Sequence, residues 1–165
     1  MLDHPRLQVE EDEVQLSSGE KINYLKFGCS GNGVVLIAKN EKGEILFNKE
    51  YSYVPNRELL QLPMGKIEGE ENPESAADRE LREETGLRAE KYEVRGSYYQ
   101  NHRRSENKGI VVLAHNLSSA ELARDVEEEG IQGNVWVPVD QLNSLIDSGE
   151  IIDADTLSSL RIARL

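Results

Sequence analysis

One cysteine, Cys29, is too few to close a disulfide within the chain, and no cysteine–histidine grouping suggests a zinc site. A lone thiol of this kind is expected in the reducing cytoplasm. No apolar run approaches the 18 residues that a membrane helix needs, and none follows a basic start, so neither a spanning helix nor a secretory leader is expected. Positive charge is scarce: 19 Lys and Arg stand against 31 Asp and Glu, a net charge of −12. That sign argues against a nucleic acid or an anionic membrane as partner, because both attract through many phosphates at once. A small phosphorylated ligand is still admissible, since cations can neutralise it locally. Repeats, low-complexity tracts and linkers are also missing. What is present is 165 residues, 38% hydrophobic and 30% charged. That is one domain over residues 1–165, able to bury roughly two-thirds of its unfolded surface around a single core.

Read in order, residues 1–12 are polar and predict a ragged start. Val14–Leu16 and Ile22–Phe27, on either side of Ser18-Gly19, predict a short edge hairpin. The near-continuous apolar run Val34–Ala38 predicts a strand covered on both faces. Residues 40–44 read as a turn, Ile45–Glu50 as its returning strand, 51–59 as a loop, and Leu60–Pro63 as a short strand. Alternation over 91–99 predicts a half-exposed strand, with further strands over Lys108–His115 and Asn134–Val137. Asp140 is placed to cap a helix ending near Ser148-Gly149, and residues 153–164 predict a last amphipathic helix.

The chemistry concentrates in residues 65–87, GKIEGEENPESAADRELREETGL. Asn72 suits an N-cap, Pro73 the first helical position, Glu74 the positive end of the helix dipole, and Gly86 a left-handed stop. At about 100° per residue, Glu80, Glu83 and Glu84 fall within one arc with Ala76 and Leu87 alongside, while Ala77 and Leu81 form a neighbouring core stripe. Like charges at these spacings repel by a few tenths of a kcal/mol per pair. A hard divalent cation with oxygen ligands, Mg²⁺ before Zn²⁺, would make sense of them. Glu71 lies in the preceding loop, where Arg79 could hold it by a bidentate ion pair.

Gly65, Glu71 and the run Arg79-Glu80-Leu81-Arg82-Glu83-Glu84-Thr85-Gly86-Leu87, at their spacing, resemble the Nudix box at every specified position. The flanks NRELLQLPMG, GSYYQN and VWVPVDQLNSLIDSGEIIDADTLSSL resemble the ADP-ribose pyrophosphatase branch of that family. The resemblance implies an α/β/α sandwich with a mixed sheet, preceded by the N-terminal hairpin. It implies hydrolysis of the diphosphate linkage of ADP-ribose or a related nucleoside diphosphate sugar, giving a nucleoside monophosphate and a sugar phosphate, with Mg²⁺ or Mn²⁺. Carried over by position, Glu80 and Glu84 are the main metal ligands, with Glu83 and the Met64 carbonyl as further ones. Glu71 and Arg79 mainly support that geometry. The branch also implies a homodimer in which N-terminal strands, within residues 1–30 here, help build the partner's site. A late glutamate serves as general base in the branch; Glu128 is the favoured match, then Glu127 or Glu129.

Departures from the branch fall at substrate recognition. Glu50-Tyr51-Ser52 lacks the arginine that the branch carries there, and His102 stands where a proline is usual. Asn101-His102-Arg103-Arg104 is the most basic short segment of the chain. Arg103 and Arg104 are therefore candidate phosphate clamps with His102 beside them as a candidate substrate contact, Arg57 is a second candidate, and Tyr51, Tyr53, Tyr98 and Tyr99 are possible base-stacking residues. A core role competes for alternate tyrosines and outweighs a stacking role for Trp136. Removal of pyrophosphate from nucleoside triphosphates, or a nucleotide-sugar sensor without turnover, are the competing functions.

Overall fold

Alternation within strands buried on both faces organises the molecule. The computed structural model describes residues 8–28, 31–120 and 130–165. In chain order the elements are β1 (Gln8–Gln15), β2 (Lys21–Gly28), β3 (Gly33–Ala38), β4 (Glu44–Ser52), β5 (Arg57–Gln61) and β6 (Met64–Lys66). Then come α1 (Pro73–Thr85), β7 (Leu87–Tyr99), β8 (Lys108–Ser119), β9 (Ile131–Pro138), a 3₁₀ turn (Val139–Gln141), α2 (Leu142–Asp147) and α3 (Ala154–Ala163).

The first large sheet has the order β6-β3-β8-β7, and the second β5-β4-β9. β3 and β8 run parallel, whereas β6 and β7 join antiparallel, so the sheet is mixed. Successive side chains point to opposite faces of a strand, and here each face meets a helix. Val34, Leu36, Leu46, Val112 and Ala114 pack with Ala76, Ala77 and Leu81 of α1. Val35, Ile37, Ile45, Phe47 and Val111 pack with Leu142 of α2 and Leu160 of α3. This is the expected α/β/α sandwich, with α1 on one side and α2 and α3 on the other. Trp136 lies partly buried against the α1-side core, as its apolar neighbours predict.

Caps set the helix ends. Asn72 Oδ1 accepts from the Ser75 N–H at 2.8 Å, and Gly86 takes φ 69° while its N–H reaches the Arg82 carbonyl at 3.0 Å. Asp153 caps α3 through the Thr156 N–H at 2.7 Å, and the buried Thr156 Oγ1 accepts from the Leu62 N–H at 3.0 Å. That last bond fixes the strand end from which β6 departs.

Several boundaries differ from the sequence reading. β1 begins at Gln8, inside the polar start, because cross-strand ion pairs replace apolar burial there. Lys26 meets Glu10 at 3.0 Å and Asp12 at 2.9 Å, and Lys21 meets Glu13 at 2.6 Å. The loop over 51–59 contracts to a tip near 53–56, since Tyr51 pairs with Glu58 and Ser52 with Arg57. β7 starts at Leu87, directly after the cap, so Leu87 packs against α1 from the strand rather than from the helix. Asp140 lies in the 3₁₀ turn, and α2 begins after Gln141 without a side-chain cap.

Candidate active site

Glycine is required at position 65 because a carboxylate occupies the space its side chain would take. A Cβ built there would lie 1.9 Å from Glu80 Oε1. β6 is an edge strand, and its register decides where the Met64 carbonyl points. The Leu36 N–H reaches the Pro63 carbonyl and the Ile67 N–H reaches the Asn32 carbonyl. Pairing alternates along an antiparallel ladder, so the Val35–Met64 pair is a non-hydrogen-bonded one and the Met64 carbonyl faces away from β3.

On α1, Glu80 and Glu84 are 5% and 4% exposed. Arg79 links the loop to the helix. Its Nε and Nη2 bind the two oxygens of Glu71 at 3.0 and 3.1 Å, and Nη2 also donates to the Lys66 carbonyl at 2.7 Å. Nη1 donates to Glu80 at 2.8 Å and to Glu83 at 3.0 Å. These bonds, Glu71 foremost, push the Arg79 pKa up and hold Glu71 below the usual carboxylate range, where the Glu68 N–H assists. Glu84 Oε2 instead accepts from Asn48 Nδ2 at 2.6 Å, and Asn48 Oδ1 accepts from Asn134 Nδ2 at 2.8 Å.

Among the described residues, no three carboxylate, imidazole or thiol side chains are gathered as a ligand cluster around one point. Instead, the Arg79 guanidinium lies between Glu80 and Glu83. The donor chemistry nevertheless fits a hard divalent cation. All donors are oxygens, two of the carboxylates are almost fully buried, and one guanidinium serves three of the four.

Besides a recess of about 490 Å³ bordered by Glu71, Asp78, Arg79 and Tyr92, two adjoining recesses open toward the Gly65 edge. One of about 230 Å³ is bordered by Asn32, Met64, Gly65, Gln100 and Asn107. The other, about 610 Å³, lies between the hairpin and the basic loop, bordered by Tyr24, Lys26, Tyr99, His102 and Arg103. Gly31 and Asn107 border both. Of the candidate substrate residues, His102, Arg103 and Arg104 thus share one recess, but Arg104 is also committed to the hairpin. Its guanidinium donates to the Leu25 carbonyl at 2.8 Å and lies 5.2 Å from the Tyr24 ring centre. The Tyr24 hydroxyl donates to the Arg103 carbonyl. Arg57 and Tyr51 line neither recess. Arg57 donates to the Gly149 carbonyl at 2.8 Å, and the Tyr51 hydroxyl to Asn56 Oδ1 at 2.5 Å. Tyr98 donates to Asp155 at 2.9 Å, consistent with a core role, whereas Lys108 lies over the Tyr99 ring. Glu127, Glu128 and Glu129 lie outside the described residues, as does Cys29.

A family model described as the NUDIX domain matches residues 30–160. The chain belongs to the Nudix family. It is a Nudix pyrophosphohydrolase, acting on diphosphate linkages of nucleoside diphosphate derivatives. It is 29% identical over 159 residues to an ADP-ribose pyrophosphatase of Bacillus subtilis, covering 96% of this chain and 84% of that one. It is 26% identical to a methanol dehydrogenase activator of Bacillus methanolicus, covering 97% and 85%. A solved structure titled as an ADP compounds hydrolase superposes with a TM-score of 0.89 over 99% of this chain and 88% of that one; at 22% identity it supports the fold.

Asn48 and Asn134 at Glu84, and Gln100 and Asn107 at the smaller recess, are placed in this Nudix enzyme by the structure alone. Asn48 stands between the apolar run Ile45-Leu46-Phe47 and the charged pair Lys49-Glu50, where an amide is ordinary in sequence, and only the structure shows it buried and in need of partners. Gln100 and Asn107 carried no signal, because polar residues flanking a loop are ordinary.

Proposed function

We propose that the enzyme hydrolyses the diphosphate of ADP-ribose or a related nucleoside diphosphate sugar, releasing a nucleoside monophosphate and a sugar phosphate. The observation that carries this is the pair of recesses sharing Gly31 and Asn107. Together they lead from the Met64–Gly65 edge to Arg103. A ligand with a diphosphate near the box and a nucleoside or sugar beyond it suits that extended shape better than a triphosphate alone. Similarity to the Bacillus subtilis ADP-ribose pyrophosphatase over nearly the whole chain supports the substrate class.

Glu80 and Glu84, joined by Glu83 and the Met64 carbonyl, would hold the divalent cation, Mg²⁺ with Mn²⁺ as a substitute. When bound, such an ion supplies charge neutralisation at the diphosphate and lowers the pKa of water. The protein's own contribution is positional. Arg79 ties Glu71 to the helix and so keeps the loop of the box against α1. Gly65 leaves the room that Glu80 fills. His102 and Arg103 offer donors to a phosphate or sugar phosphate at the far recess. We also propose that the enzyme is a cytoplasmic homodimer assembled through the hairpin, which exposes Val9, Val14, Leu16 and Leu25.

A panel of nucleoside diphosphate sugars and nucleoside triphosphates with Mg²⁺, scored by product, tests the reading. Sugar phosphate with nucleoside monophosphate is expected; inorganic pyrophosphate from triphosphates alone would overturn it. Arg103→Ala should raise KM for the preferred substrate severalfold with little change in kcat, whereas an unchanged KM would remove Arg103 from recognition.

A further inference from the structure

The two buried box carboxylates are held in chemically different ways. Glu80 receives a charged guanidinium, whereas Glu84 receives the neutral amide of Asn48 at 2.6 Å. Asn48 is 2% exposed and sits on β4 directly opposite Asn134 of β9. Its amide orientation follows from its partners: an ionised carboxylate only accepts, so Nδ2 faces Glu84 and Oδ1 is left to accept from Asn134 at 2.8 Å. Asn134 Nδ2 also approaches the Glu84 backbone carbonyl at 3.4 Å. The amide pair therefore touches Glu84 at both its side chain and its backbone.

Burying an amide is unfavourable unless its bonds are made. Here they are made to the helix that carries the box. A lysine or arginine at position 48 would fix Glu84 as well but would cancel its charge. An aspartate would repel it. Asparagine fixes one oxygen and adds no charge, which suits a carboxylate that has to bind a cation.

We propose that Asn48, backed by Asn134, is a positioning residue that presents the Glu84 carboxylate to the divalent cation and thereby sets the metal affinity of the site. This rests on the reading of Glu84 as a metal ligand. Partners that orient a ligand in this way typically contribute 10–100-fold in metal affinity or activity.

The test is a Mn²⁺ titration followed by electron paramagnetic resonance, without substrate, on the wild type, Asn48→Leu and Asn134→Leu. Thermal melts in chelator accompany it. Asn48→Leu is expected to raise the Mn²⁺ Kd by about tenfold or more while still melting cooperatively in chelator. Asn134→Leu, which leaves the Asn48–Glu84 bond in place, should raise it by a smaller factor. A purely structural amide would lower the melting temperature and leave the Kd alone, and that result overturns the proposal. If Asn48→Leu does not fold, Asn134→Leu decides: a wild-type Kd there overturns the proposal as well. Failure of the wild type itself to bind Mn²⁺ would instead overturn the metal reading of Glu84, and the proposal with it.

Discussion

The hairpin β1–β2 and the corner formed by β6 and α1 are both rich in carboxylates, yet they use them in opposite ways. Along the hairpin, Glu10 and Asp12 share Lys26 and Glu13 meets Lys21, all of them in water. Each such contact is screened and adds little to stability. At the corner, Glu80 and Glu84 are buried, Arg79 and Asn48 donate to them, and the bare backbone of Gly65 leaves the room that Glu80 fills. Charge in the first region is a surface property. In the second it is positioned, and burial raises the consequence of every contact. Composition alone does not separate the two regions; the depth of each carboxylate does.

Four perturbations should widen or collapse that contrast. Glu84→Gln keeps the shape of the side chain and removes its charge, so divalent-dependent turnover should fall on the order of 10³-fold with the fold intact. Steady-state kinetics and circular dichroism check it, and full activity would remove Glu84 from the mechanism. Gly65→Ala should come next, because its methyl group must displace the Glu80 carboxylate; a misplacement of this kind costs roughly 10²-fold in rate. A crystal structure of that variant should show Glu80 moved from its place beside β6.

A smaller effect is expected at high pH where Tyr92 of β7 meets α1. Burial, together with the hydrogen bond to Asp78, pushes the Tyr92 pKa from the ordinary 10 up to about 12. A raised pKa in the folded state favours the protonated form, so the contribution is complete below pH 10 and lost as pH rises toward 12. Ultraviolet titration of wild type against Tyr92→Phe should assign a late-ionising phenol to this position. Lys26→Ala should matter least for folding. Its pKa is held up by Asp12 and then Glu10, but all three groups are in solvent. No measurable change in melting temperature is expected, and a clear drop would show that the hairpin's charges are positioned too.

How much of this was legible in the sequence follows the same division. The helix with both of its caps, the strand buried on both faces, and the Glu71–Arg79 bond could be read because local spacing specifies them. The beginning of β1 could not, since its strand character comes from ion pairs to a partner strand and not from alternating hydrophobicity. Nor could the division of labour between Arg103 and Arg104. Adjacent in sequence, they part only once β2 lies against the loop and takes the guanidinium of one. Arg57 looked like an equal candidate until its partner, the carbonyl of Gly149, came from 92 residues away.

The central pairing of β3 with β8 also bears on how the enzyme is made. Asn32 and Lys108, which join by a hydrogen bond where the two strands begin, are 76 residues apart in the chain. Closing so long a segment is slow compared with forming a neighbouring hairpin. Everything between them, including the box strand and its helix, is synthesised before that closure can occur. The hairpins β1–β2 and β4–β5 join strands that are neighbours in the chain, whereas the parallel β3–β8 pair cannot form until the box strand, its helix and β7 have all been made.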